Sequence, residues 1–134
     1  MDAPALAPVR GTFRAVAETV VPEAVALPPE EWLALESIVE EALAPRPAGI
    51  KRQLRLLIRV IEVSGLLFFG RPFTALDRGR RTRVLRAFQD APLLLLRRGF
   101  WGLRTLALMG YYARPAAAAE IGYDARLGGW EARR

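Results

Sequence analysis

The sequence predicts an all-α fold, an irregular bundle of about five helices, on three observations. Apolar residues recur with helical spacing in five segments, and prolines and glycines separate these segments. No segment alternates β-branched and polar residues over the length of a strand. A chain of 134 residues of which 52% are hydrophobic can bury one core. We therefore expect a single helical domain over residues 1–134, with loose tails at 1–11 and 125–134.

The first two helices are predicted from apolar spacing and from the prolines that bound them. The first is expected from about Thr12 to Val21, with the Thr12 hydroxyl as its N-cap. The second begins at Pro28 with acids in its first turn, where the helix dipole favours them, and ends before Pro45. Its predicted core stripe is Trp32, Leu35, Ile38, Val39 and Ala42. Its acids are expected on a solvated face: Glu30, Glu31, Glu36, Glu40 and Glu41.

The third helix is expected from about Ala48 to Leu66. It is apolar around most of its circumference, which is typical of a central, buried helix. An aromatic turn over residues 68–73 follows it. Asp77 is predicted to cap a fourth helix that ends at Gln89, with Val84, Leu85 and Phe88 inward and Arg78, Arg81 and Arg83 outward. Pro92 begins a fifth helix, which ends near Tyr112.

The composition excludes several classes of chemistry. The chain has no cysteine, so disulfides, thiolate metal sites and cysteine nucleophiles are impossible. It has no histidine, which removes the usual general base and the commonest transition-metal ligand. No glycine-rich phosphate loop is present. We predict no catalytic residue, no metal site and no cofactor bound by this chain alone.

The charge is concentrated in the second half of the chain. Residues 1–67 carry a net charge of −2 and residues 68–134 a net charge of +8. The arginines at 78–86 could contact nucleic acid, but no nucleic-acid-binding motif accompanies them, and a solvated or protein-facing surface is the preferred interpretation. The apolar residues 93–96 beside Arg97 and Arg98 leave peripheral membrane contact open as an alternative.

Aromatic residues are unusually dense from position 68 onward. Some must be core, and the remainder would expose more apolar surface than a soluble monomer usually carries. Aromatic rings and arginines together are the residues that anchor protein interfaces. This combination predicts an obligate protein partner. The aromatic residues concerned are Phe68, Phe69, Phe73, Phe100, Trp101, Tyr111, Tyr112 and Tyr123.

The same region resembles a known family, the gluconate 2-dehydrogenase subunit 3 family. Its most specific element is the ending in which Gly110-Tyr111-Tyr112 is followed by Pro115 and then by Ile121-Gly122-Tyr123-Asp124. Further similar segments lie at residues 12–22, 73–77, 83–88, 91–93, 97–100 and 103–108, so the resemblance spans roughly 12–124. A similar segment precedes the flavin domain of long-chain alcohol oxidases of the glucose–methanol–choline class.

The resemblance implies that the chain is the small, non-catalytic subunit of a bacterial flavoprotein dehydrogenase. The large subunit would hold FAD and oxidise an alcohol or a sugar, and the small subunit would aid its folding or delivery. A free-standing module for an apolar ligand or a membrane surface is the alternative. No signal peptide or transmembrane segment is evident in the sequence, so we expect the chain in the cytoplasm, or carried to the periplasm or membrane with its partner.

The resemblance and the aromatic surplus together suggest which residues dock on the large subunit. The competing interpretation is that Tyr111, Ile121 and Tyr123 fold the end of the chain back onto the bundle, since a buried tyrosine usually serves packing. The candidate partner-binding residues are Phe69, Arg71, Phe73, Trp101, Tyr111, Tyr112, Ile121 and Tyr123.

Overall fold

A computed structural model describes residues 5–117, and these residues form an all-α bundle, as predicted. No strand occurs within that range. The five α-helices are α1 (Arg10–Val20), α2 (Pro29–Leu43), α3 (Ala48–Phe69), α4 (Arg78–Gln89) and α5 (Leu94–Tyr112). Short 3-10 turns lie at Ala7–Val9, Pro22–Ala26 and Phe73–Ala75.

All five helices contribute to one hydrophobic core. Fully buried side chains come from each of them, and α5 packs against the other four. Burial of such side chains is the main term that stabilises a bundle of this size. The most deeply buried large residues are Leu6, Phe13, Val16, Val21, Leu35, Val39, Ile58, Ile61, Phe73, Val84 and Leu103.

The N-terminal segment is packed, so the prediction of a loose tail is wrong for residues 5–11. Ala5 and Leu6 are buried, and their backbone N–H groups donate to the Glu40 carboxylate at 2.9 and 2.8 Å. That carboxylate satisfies two donors that would otherwise need water. The first helix begins at Arg10, and Thr12 is a buried residue inside it rather than its N-cap. Residues 1–4 and 125–134 lie outside the described range.

Glu36 is buried on α2, which contradicts its predicted place on a solvated face. Only 5% of the residue is exposed. Two arginines of α1 compensate its charge: Arg10 Nε lies 3.1 Å and Arg14 Nε 2.5 Å from its carboxylate oxygens. Arg14 also lies over the Trp32 ring, 5.3 Å from the ring centroid. A buried carboxylate is tolerated here because two partly exposed cations surround it.

The capping and the inward face of α4 agree with the sequence. Asp77 accepts a hydrogen bond from the backbone N–H of Arg80 at 2.9 Å, and the three residues predicted inward are buried. Arg81 differs from the prediction that it points outward. Its guanidinium donates to the carbonyls of Phe73 and Thr74, at 3.3 and 2.8 Å, and pairs with Glu18 at 3.2 Å. It thereby ties the turn before α4 to α1.

The turn between α3 and α4 folds tightly against α3. Gly70 ends α3 with φ of 74°, a left-handed conformation that glycine adopts without strain. Glu62 of α3 accepts hydrogen bonds from the backbone N–H and the hydroxyl of Thr74, both at 2.9 Å. The chain then passes so close to α3 that a β-carbon at Gly65 would lie 2.6 Å from both Arg71 O and Phe73 N.

Gly65→Ala is therefore expected to lower the free energy of unfolding by about 1–3 kcal/mol, because the added methyl group would overlap backbone atoms that cannot move independently. Gly102→Ala is the matched control. A β-carbon there meets nothing within 4 Å, so the helix should gain about 0.5–1 kcal/mol. Chemical denaturation of both variants measures the two changes. Destabilisation of the same size in both would contradict the packing described at Gly65.

The buried carboxylate predicts an asymmetric response to mutation. Replacing Arg10 and Arg14 together by methionine leaves Glu36 buried without a cation, which should cost roughly 3–5 kcal/mol at neutral pH. Glu36→Gln leaves two arginines that can reach water, so we expect a loss of only about 1–2 kcal/mol. Urea unfolding of the double and the single variant tests this order, and a larger loss in Glu36→Gln would refute it.

Candidate docking surface

The third helix carries apolar residues on two faces, and only one face is covered by the rest of residues 5–117. The inner face consists of Leu57, Ile58, Ile61, Ser64 and Gly65, all buried. The outer face, here called the outer stripe, consists of Leu56, Val60, Val63 and Leu67, which are 60%, 36%, 50% and 79% exposed. The prediction of a central, buried third helix is therefore wrong for its outer face, because the other described helices do not cover that face.

An apolar groove lies between the first part of the outer stripe and α5. Its volume is about 760 Å³. Helix α3 forms one wall, α5 the other, and the end of α2 closes one side. The lining residues are Ala42, Leu43, Arg46, Ile50, Gln53, Leu54, Leu56, Leu57, Val60, Leu95, Leu96, Arg98, Gly99, Trp101, Gly102, Leu103, Thr105, Leu106 and Met109.

Two glycines of α5 shape the groove. At Gly99 the two helices are close, since a β-carbon there would lie 3.0 Å from Leu57 Cδ2. At Gly102 the space above the helix is open, with nothing within 4 Å of a β-carbon position. The α5 wall is therefore low along Gly99 and Gly102, which leaves the apolar side chains of α3 accessible from outside.

The only formal charges in the groove lining are positive. Arg46 and Arg98 lie at its margin, and no aspartate or glutamate is among the lining residues. Neither arginine takes part in a salt bridge with any of residues 5–117. Charged side chains at the margin of an apolar surface are typical of a polar rim around an interface core. The groove thus presents an apolar floor and two exposed arginines that form no salt bridge with any of residues 5–117.

The exposed apolar surface continues beyond the groove. Leu93 and Leu94, at the beginning of α5, are exposed next to the groove residue Leu95, and Leu66 and Phe68 near the end of α3 are exposed as well. Soluble monomers rarely expose this many large apolar side chains. The exposed leucines at the beginning of α5 are a second candidate contact surface, and Arg97 and Arg98 follow them after Leu96 in the sequence.

The candidate docking residues from the sequence fall into three groups. Phe73 is fully buried in the core and cannot dock, so that assignment is wrong. Its backbone carbonyl accepts from Arg81 and its ring lies beneath the same guanidinium. Phe69 and Tyr111 are half-buried and packed against the core, with Arg80 over the first ring and Arg114 over the second. Their rings serve packing on at least one side.

Arg71, Trp101 and Tyr112 are exposed, as a docking role requires. Trp101 lines the groove, whereas Arg71 and Tyr112 do not. The structure therefore does not bring the three into one site. Ile121 and Tyr123 lie outside the described residues. The alternative in which Tyr111 packs on the bundle agrees with its partial burial.

Apolar periodicity alone did not reveal the exposed aliphatic residues of the outer stripe, of which Leu56 and Val60 line the groove. The predicted central, buried helix from about Ala48 to Leu66 includes Leu56, Val60 and Val63, and Leu67 follows it directly. A signal was present, however: these residues are spaced 4, 3 and 4 apart, the spacing of a coiled-coil seam, and they form a stripe separate from Leu57, Ile58 and Ile61.

The basic cluster of α4 is partly committed to contacts within the bundle. Arg78 donates to the Glu18 carbonyl at 3.2 Å, Arg80 lies over the Phe69 ring, and Arg81 holds the turn before the helix. Arg83 and Arg86 are exposed. Three of these five arginines therefore contact the rest of the bundle.

Over the described residues, no group of three Asp or Glu side chains is arranged to hold a metal ion. None of the helices in residues 5–117 is both long and apolar enough to cross a bilayer. Comparisons of the chain with protein families, with curated proteins and with solved structures return no match. The geometry of the groove is therefore the principal functional observation on this chain.

The groove should bind 8-anilinonaphthalene-1-sulfonate, an apolar anion, and enhance its fluorescence in the native state. Gly102→Trp places a large side chain in the open space and should remove most of that signal. Gly11→Trp is the control, since Gly11 is also helical and unobstructed but does not line the groove. Equal fluorescence from the two variants would show that the dye binds elsewhere.

Proposed function

We propose that this chain is a non-catalytic accessory subunit that binds a larger FAD-dependent alcohol or sugar dehydrogenase through the groove and the outer stripe. The observation that carries the proposal is the exposed apolar face of α3 beside the open groove. Leaving leucines and valines in water costs free energy that a protein partner would recover. The chain binds no cofactor by itself, and FAD belongs to the large subunit.

The surface favours a protein partner of the obligate kind. Its centre is aliphatic, it carries one exposed tryptophan, and its charged members lie at the margin. Obligate interfaces are more hydrophobic than transient ones and resemble a core divided between two chains. The identity of the partner as a flavoprotein comes from the resemblance to the gluconate 2-dehydrogenase subunit 3 family over roughly residues 12–124.

Binding of this kind acts on the large subunit through mass action. A chain that binds only the folded form of its partner shifts the partner's folding equilibrium toward that form. The expected effect is a higher yield of folded, flavin-loaded large subunit, which is a chaperone-like role. The complex would then reside in the cytoplasm, or reach the periplasm or membrane with the help of the large subunit.

Leu56→Glu should abolish copurification of the large flavoprotein on coexpression and lower its flavin content, because a carboxylate would be buried in the apolar interface. Leu33→Glu is the matched control: it lies on α2 outside the groove, and its exposure of 57% equals that of Leu56 within a few per cent. Trp101→Ala should weaken copurification by 10-fold or more, the loss of about 1.4 kcal/mol or more of binding energy.

The coexpression experiment has clear contrary outcomes. If the Leu56→Glu variant retains the flavoprotein while both leucine variants remain folded by circular dichroism, the groove is not the interface. If the unmodified chain fails to copurify with any flavoprotein encoded beside it, the accessory-subunit proposal itself fails.

One observation favours a second function, peripheral binding to a membrane. Leu93, Leu94 and Leu95 are exposed at the beginning of α5, and Arg97 and Arg98 follow. Apolar side chains next to arginines suit the interface of an anionic bilayer. Flotation with phosphatidylglycerol vesicles separates the two functions: the accessory-subunit proposal predicts that most of the isolated chain stays unbound, and quantitative flotation supports the membrane module.

A further inference from the structure

The outer stripe has the spacing that a helix recognises. Leu56, Val60, Val63 and Leu67 are separated by 4, 3 and 4 residues and point away from the core. Side chains at this spacing pack between the side chains of a second helix lying alongside. Addition of an extended peptide as a β-strand needs a free sheet edge, and no strand exists within residues 5–117. The stripe therefore favours a helical occupant.

The shape of the groove agrees with a helix. Its α5 wall runs from Leu95 to Met109, which corresponds to roughly 21 Å at the rise of an α-helix. A helix of about four turns has this length. The groove is concave, and the buried or partly buried leucines Leu54, Leu57 and Leu103 form its floor. A lipid surface is flat on this scale and would contact the walls without filling the floor.

The charge of the groove selects among helices. Arg46 and Arg98 are its charged members, and no salt bridge within residues 5–117 engages either of them. Positions flanking an apolar helix seam are where complementary charges determine partner choice. A helix with acidic residues beside its apolar stripe would neutralise both arginines, whereas a basic helix would be repelled.

The same charges disfavour a second copy of this chain as the occupant. In a twofold dimer built on this face, each groove would meet an identical one, and the arginines of both copies would lie in one interface. Like charges brought together at an interface cost several kcal/mol. Two copies of the groove could bury each other's apolar surface, but their positive charges would repel each other.

We infer that the groove between α3 and α5 binds an acidic amphipathic α-helix of the partner subunit, with leucine-like residues spaced 3 and 4 apart and glutamates or aspartates on both flanks. This inference rests on the proposed function and specifies the part of the partner that is recognised. Leu56 and Val60 of the outer stripe, together with the groove floor, receive the apolar seam of that helix. Arg46 and Arg98 receive its acidic flanks.

Two designed peptides test the inference against the full chain. Both are 18-residue helices with the same leucine seam, one with glutamates and the other with lysines at the flanking positions. Fluorescence anisotropy should show that the glutamate peptide binds at least about 10-fold more tightly, a difference of about 1.4 kcal/mol. The preference should shrink as salt is raised, because the charges lie at the solvent-exposed margin.

Matched variants locate the binding site. Gly102→Trp should abolish binding of the glutamate peptide, and Gly11→Trp should leave it unchanged, since only the first residue lines the groove. The double change Arg46→Glu and Arg98→Glu should reverse the preference in favour of the lysine peptide. The control pair, Arg83→Glu and Arg86→Glu, makes the same charge change on α4 outside the groove and should not reverse it.

Several outcomes would overturn the inference. Equal affinity for the two peptides would show that the arginines do not select the charge of the bound helix. Binding that survives Gly102→Trp would show that the peptide does not occupy the groove. Tighter binding of a synthetic peptide of residues 118–134 would assign the groove to the chain's own C-terminal segment. Displacement of the glutamate peptide by phosphatidylglycerol vesicles would assign it to lipid, and self-association lost in Gly102→Trp would assign it to a second copy.

The peptide measurements and the coexpression experiment can fail independently. Glutamate-peptide binding without a copurifying flavoprotein would leave the helix-binding groove intact and reject the flavoprotein as its partner. A copurifying flavoprotein that the Gly102→Trp variant still retains would support the accessory function and reject the groove as the site of docking.

Discussion

The architecture depends on one constraint: α3 has more apolar circumference than the other described helices can cover. Its inner face packs on α1, α4 and α5, and the buried Ile58 and Ile61 anchor it there. Its outer stripe faces away from that core and is left in solvent by residues 5–117. When one helix is apolar on two sides, the isolated chain must leave leucine and valine side chains exposed to water. Burial of these exposed side chains would favour the binding of a partner.

Polar contacts behind α3 keep this surface in a fixed position. Glu62 binds the turn at Thr74, and Arg81 joins the same turn to Glu18 of α1. The close approach at Gly65 leaves no room for the turn to shift along the helix. A docking surface that is already rigid before binding loses little conformational entropy when the partner arrives, which favours affinity. In the proposed complex, the polar network would therefore contribute to recognition although it lies on the opposite side of α3.

Features set by neighbouring residues, such as helix caps and prolines, could be predicted from the sequence. Features that depend on which distant segments pack over a residue could not. The α4 boundaries followed from the Asp77 cap, and the start of α2 from its two prolines. Glu36 was misplaced because its arginines lie 22 and 26 positions away. Phe73 was proposed for docking because the tight turn that buries it is invisible in apolar spacing. The exposure of the outer stripe could not be read from periodicity, which identifies apolar faces but not what covers them.

Site-specific photocrosslinking tests the central claim most directly. A benzophenone side chain placed at Trp101 in the groove, and at the exposed control position Leu33 on α2, reports what lies within contact distance in the coexpressed complex. The account predicts a crosslink from position 101 to an acidic helical segment of the flavin-carrying subunit, and none from position 33. A crosslink from position 33 with none from position 101, in a complex that otherwise forms normally, would contradict it.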